Sequence, residues 1–150
     1  MVEVTAGTEA TVILRLPPTP VHVRTARLVA AAMARRSGLA EDLLDEVRLA
    51  VGEACARAVR MHERHGISDG VVVEFSEGKR FGVAVLDRAD VLTSAAGAAP
   101  AGPAPDSAPW ADPSGDALGL ALLGAVVQDL TVDPDVTGGG TRVAMSWPVG

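Results

Sequence analysis

Three places along this chain carry residue types that could do chemistry together. Glu53 and Arg57 stand four residues apart, and on a helix that spacing puts them on one side. A helical wheel sets that side at the border of an apolar stripe, so the pair would emerge at the rim of a packed face. Asp87 closes the hydrophobic run FGVAVLD (81–87), at the strand end where α/β sites collect polar groups. Farther on, Gly115-Asp116-Ala117-Leu118-Gly119-Leu120 leads glycines into a helix. Helix N-termini offer free backbone N–H groups to phosphates. Each place also has an ordinary explanation. Glu53 and Arg57 would make an i,i+4 ion pair worth about 0.3–0.5 kcal/mol. Asp87 would cap a turn, and Gly115 and Gly119 would punctuate a loop.

The elements that must position these residues follow from periodicity. ATVILRL (10–16) alternates with period two and stops at Pro17-Pro18, a strand pattern. Thr19 as N-cap and Pro20 in the first turn open a helix that runs to about Arg36 and ends at Gly38. Arg24, Arg27, Arg35 and Arg36 give that helix a basic surface. A second helix covers about 40–64: Leu44, Val47, Val51, Ala54, Ala58 and Met61 recur at threes and fours. Glu41, Asp42, Asp45 and Glu46 crowd its first turns, where the helix dipole favours anions, and Gly66 is its stop. VVVEF (71–75) and FGVAVLD (81–87) read as a hairpin.

From Thr93 to Asp116, nineteen of twenty-four residues are Ala, Pro, Gly or Ser, which rules out a periodic element and points to a functional lid or an insertion. ALGLALLGAVV (117–127) is a short helix, and TVDPDV and TRVAMSW (141–147) form a terminal hairpin around Gly138–Gly140. Those glycines read as a turn rather than a ligand cradle. The order β, α, α, β, β, lid, α, β, β predicts a two-layer α/β (α+β) sandwich, a mixed and mainly antiparallel sheet covered on one face by about three helices.

The 150 residues suffice for one domain with its own core. With two Phe, two Trp and no Tyr, that core must be built from Val, Leu and Ala. A net charge of −6 argues against general nucleic-acid binding, which needs a phosphate-neutralising basic surface. Cys55 has no internal disulfide partner and reads as a small buried hydrophobe. His22, His62 and His65 lack metal-ligand spacing and read as surface residues. No apolar stretch approaches the ~18 residues of a membrane span. The N-terminus lacks the pattern of a secretory signal, so a cytoplasmic location is expected.

The order of these motifs resembles the Bergerat-type ATPase fold of histidine kinases and gyrase, and in particular the anti-sigma-factor serine kinases, over nearly the whole chain. VRLAVGEACARAV (47–59) resembles that family's first ATP-site helix, with Glu53 on the catalytic general base. VAVLDRADV (83–91) resembles the strand carrying D-x-G-x-G, with Asp87 on the carboxylate that binds the adenine amino group. GDALGLALLGAVVQDL resembles the G-x-G-L-G-L helix beneath the phosphates, placing Gly115, Gly119 and Leu120 in the nucleotide site. GGGTRVAMSW resembles the closing G-T strand through Gly140 and Thr141. Arg27, with Arg24 beside it, falls where the family's first helix meets its partner protein.

The departures are as informative. Arg57 replaces the family's Mg²⁺-binding asparagine, and a guanidinium has donors but no acceptor with which to ligate a cation. Ala89 and Val91 replace two glycines of D-x-G-x-G, and Ala117 replaces one of the later motif. A Cβ at such positions blocks backbone approach to a ligand. The 93–116 segment carries Asp106, Asp112 and Asp116 but no Lys or Arg. Phosphoryl transfer depends on positioning and metal-assisted charge neutralisation. The resemblance with these departures implies a pseudokinase that sequesters a sigma factor, with no cofactor and no metal. Release by a STAS-type anti-anti-sigma factor, a homodimer, and no contact with nucleic acid or membrane are further expectations. The alternatives are an active serine kinase using ATP with Mg²⁺, or a degenerate sensor-kinase fragment without a sigma target.

Overall fold

The computed structural model describes residues 2–6, 11–89, 116–135 and 139–149. Six strands and three α-helices are built from them: β1 (Glu3–Ala6), β2 (Thr11–Leu16), α1 (Val23–Arg36), α2 (Leu44–Arg64), β3 (Val71–Ser76), β4 (Arg80–Leu86), α3 (Asp116–Val126), β5 (Asp129–Asp135) and β6 (Gly140–Pro148). The strands form one sheet in the order β1-β2-β3-β4-β6-β5. The expected sandwich is present, and every pairing among the described strands is antiparallel. Val91, Gly115, Gly138 and the Ala/Pro-rich segment up to residue 115 lie outside the described residues.

Alternation along the strands sorts the side chains into two faces. Val71, Val73 and Phe75 of β3, Phe81, Val83 and Val85 of β4, and Val143, Met145 and Trp147 of β6 are all buried and join one core. The helices supply the other half of that core. Ala26, Ala30 and Ala34 of α1 and Ala50, Ala54 and Ala58 of α2 are buried, and small side chains let two helices lie close. At one end of the core, Phe81 and Trp147 stack with centroids 6.1 Å apart, and Trp147 Nε1 donates to Glu46 at 3.3 Å.

Both expected helix stops hold. Gly38 (φ 87°) and Gly66 (φ 63°) take the left-handed conformation, which glycine reaches without a Cβ clash. Two differences stand out. The first helix opens with a single 3-10 turn, Pro20–His22, and Thr19 makes no side-chain cap; its carbonyl instead accepts the His22 N–H at 3.1 Å. Strand β1 was not foreseen. It is four residues at the sheet edge, paired with β2 from Glu3↔Arg15 to Ala6↔Val12, too short for a periodic signal. No helix among the described residues is long and apolar enough to cross a membrane.

Candidate functional site

The residues singled out for chemistry converge where the end of β4, the start of β6 and the middle of α2 meet. β4 delivers Asp87 just past its last paired residue, and the Asp87 N–H continues the ladder by donating to the Thr141 carbonyl at 3.0 Å. From α2, Arg57 reaches across and donates from Nη1 to Asp87 Oδ2 at 2.9 Å. The other carboxylate oxygen, Oδ1, accepts the backbone N–H groups of Ala89 at 2.9 Å and Thr141 at 3.3 Å. The two charged side chains are only 3% and 1% exposed. Both Asp87 oxygens are therefore committed inside the protein. Of the two ordinary explanations, neither holds as framed: Arg57 pairs with Asp87 and not with Glu53, and Asp87 does more than cap its turn.

Glu53, one turn earlier on α2, is half-buried. It has no hydrogen bond or ion pair among the described residues. Thr141 is wholly buried, and its hydroxyl has no hydrogen-bond partner among the described residues. Ala89 is buried against the same junction. Gly119, Leu120 and Ala117 fall on α3, which packs on α2. Arg24 and Arg27, the positions expected to face a partner, are exposed on α1. A depression of about 230 Å³ borders Asp87 and Arg88. Its other walls (Ile13, Arg15, Val72, Glu74) belong to the helix-free face of the sheet, away from Arg57 and Thr141.

Gly140 explains how the strands come so close here. A Cβ on it would collide with the Asp87 carbonyl oxygen and lie 2.7 Å from the Asp87 carbonyl carbon and 2.8 Å from Arg88 Cα. Its glycine is required by backbone approach, not by a turn. His62 was expected on the surface, and the structure overturns that. It is fully buried, with Nδ1 2.9 Å from the Asp69 carbonyl. Its Nε2 accepts the Arg88 N–H at 2.9 Å. These partners assign the neutral tautomer with the proton on Nδ1. His62 thus fastens the chain just after Asp87 to α2. The signal was present in the sequence: position 62 continues the Ala54, Ala58 stripe by four residues. Cys55 is buried as expected, and burial pushes its thiol pKa up to about 12, partly offset by the Arg27 charge.

The family model for the histidine kinase-like ATPase domain matches residues 16–147. The chain belongs to that family. No curated protein matches it. Set in a histidine kinase-like ATPase, the geometry can be tested against the nucleotide and Mg²⁺ that the fold implies. The residue at position 57 does not fit the metal. The Asp87 carboxylate accepts from Arg57, Ala89 and Thr141, which take three of its roughly four lone-pair sites. A guanidinium supplies no oxygen to a cation that demands oxygen ligands. The cluster works as a packed ionic node joining α2, β4 and β6.

Proposed function

We propose that this histidine kinase-like ATPase domain acts as a binding module. In this reading it is an anti-sigma factor that sequesters a sigma factor by protein–protein contact and is released by an anti-anti-sigma factor. It transfers no phosphate. One observation carries the reading: the carboxylate that would read adenine is buried and sealed by Arg57, the residue standing where a metal ligand is expected. A scaffold with its core intact and its ligand-reading groups turned inward retains surfaces, not chemistry. Arg24 and Arg27 are proposed to meet the partner, since complementary charge tunes on-rate and partner choice. A homodimer is the expected state, with neither nucleic acid nor membrane involved.

A second reading, an active serine kinase using ATP and Mg²⁺, is favoured by one observation: Glu53, the general-base position, has no partner among the described residues. Calorimetric titration of the purified protein with ATP, with and without Mg²⁺, separates the two. The binding-module reading expects no saturation in the micromolar range. Micromolar affinity, together with transfer of phosphate to a partner serine that Glu53→Ala abolishes, would establish the kinase instead.

A further inference from the structure

His62 is the one wholly buried histidine among the described residues, and the proposed function gives it no chemical part. It lies in the last turns of α2, where its backbone carbonyl accepts the Ile67 N–H at 2.8 Å. Its ring joins two further segments. Nδ1–H donates to the Asp69 carbonyl at 2.9 Å, in the connection that leads to β3. Nε2 accepts the Arg88 N–H at 2.9 Å, just past the end of β4. One ring thus ties the end of α2 to both strand connections beside it.

The two bonds respond differently to a proton. Nδ1 is a donor in this neutral tautomer and in the charged ring alike, so the Asp69 bond survives protonation. Nε2 is an acceptor only while the ring is neutral. Protonation makes it a second donor, aimed at the Arg88 N–H. Donor then meets donor, and a charge is placed on a side chain that is 0% exposed, which is costly unless the charge is paired. No carboxylate lies within ion-pairing distance of the ring among the described residues. The charged groups around it are committed elsewhere or face solvent. Asp69 and Arg88 lie 3.7 Å apart as a half-exposed pair, and Arg57 and Asp87 form the buried one. Glu63 and Arg64, its neighbours on α2, are exposed, as are the arginines of α1. His22, in the turn before α1, is half-buried. Glu74 and Arg142 pair with each other at 3.8 Å.

We propose that His62 is an acid-released latch for the exit of β4. Neutral, it holds Arg88 and the adjoining Ala89 against α2. Protonated at Nε2, it frees the Arg88 amide while keeping its bond to Asp69. The seam of β4 and β6 stays closed, because Arg57 and the Thr141 N–H still hold Asp87. The release is therefore local, loosening the rim beside the ionic node without opening the core. Histidine is the side chain whose ordinary charge change falls between about pH 5 and 8, so mild acid is the signal. The latch operates whether the domain binds a partner protein or a nucleotide.

The test follows amide hydrogen exchange of the full chain, ¹⁵N-labelled, at about pH 7.5 and about pH 5.5, with rates corrected for their intrinsic pH dependence. Long-range ¹⁵N–¹H spectra read the protonation of the ring in the same samples. The Arg88 amide is expected to lose protection by at least about tenfold at the lower pH as the His62 ring charges. Ile67 and Thr141 should keep theirs. His62→Gln, which cannot titrate, should abolish the pH response at Arg88, with its thermal midpoint confirming the fold. His22→Gln with His65→Gln should leave that response intact. Unchanged protection at Arg88 with a charged ring would overturn the proposal, as would a loss shared equally by Ile67 and Thr141. So would a ring still neutral at the lower pH. The wild-type measurements decide alone should the Gln variant fail to fold.

Discussion

Replacing Arg57 with methionine removes the charge of the buried pair while keeping most of its volume. Asp87 would then be left 1% exposed and without its cation. Breaking a buried pair from one side costs about 3–5 kcal/mol. Here the N–H groups of Ala89 and Thr141 still hold Oδ1, which puts the expectation near the lower end, about 3 kcal/mol. Asp87→Asn alone also destabilises, because a side-chain NH₂ faces the guanidinium or the Oδ1 acceptor is lost. The decisive variant combines Arg57→Met with Asp87→Asn. No charge is then buried, and the Asn carbonyl still accepts the two backbone N–H groups. The double variant should regain about 1–2 kcal/mol relative to Arg57→Met. Urea unfolding followed by far-UV circular dichroism reads all three against wild type, and constant m-values would certify that only stability has changed. A double variant whose loss equals the sum of the two single losses would refute the reasoning, since guanidinium and carboxylate would then not depend on each other.

Three other outcomes follow from the same region. Gly140→Ala should cost on the order of 3 kcal/mol or abolish folding, because the Cβ meets backbone that cannot rotate away; the urea midpoint decides. His62→Phe should cost about 2–4 kcal/mol despite keeping a ring in the core, since the Arg88 N–H and Asp69 carbonyl lose their partner. Fast hydrogen exchange at the Arg88 amide would report the same loss, and a protected amide would contradict it. Cys55 predicts an alkaline limb of known sign. Burial holds the proton on the folded thiol up to about pH 12, against about 8.5 for a free thiol. That contribution is complete below the unfolded value and is lost as pH rises toward the folded one, by about 1.4 kcal/mol per unit. The chain has no Tyr and Lys79 is its one lysine, so Cys55→Ala should visibly flatten stability measured between pH 9 and pH 11, roughly the window set by these two values. A limb unchanged in that variant would dismiss the cause.

What could be read in the sequence divides along physical lines. The α2 stripe, the β3–β4 alternation and the closing hairpin were legible because each is a local period repeated over several residues. Strand β1 was not, because four residues at a sheet edge owe their structure to pairing with β2 and not to any pattern of their own. The Arg57 chemistry was legible in that an arginine offers no acceptor. Its partner was not: the i,i+4 neighbour Glu53 is the natural local choice, whereas Asp87 lies thirty residues away and is brought near only by the sheet. His62 could have been recovered by extending the buried stripe by four residues past Ala58. Gly52 could have been flagged as a glycine with no stop signal inside a long helix, and the fold shows that a Cβ there would collide with Arg27 of α1.

The persistence of Asp87 is easily mistaken for retained nucleotide binding. In this fold it has another sufficient cause. Its Oδ1 satisfies two buried N–H groups at the seam of β4 and β6, and an unsatisfied buried donor costs about 1–3 kcal/mol. A chain that no longer needed the carboxylate for a ligand would still need it for the seam. Without a cation beside it, however, the second oxygen would be a buried charge without compensation. Arginine at position 57 supplies it from the adjacent helix. The residue that offers a metal no oxygen therefore stabilises the buried carboxylate beside it. One arginine thus both offers a metal no oxygen and balances the buried carboxylate, which lets the scaffold stay well packed at this seam.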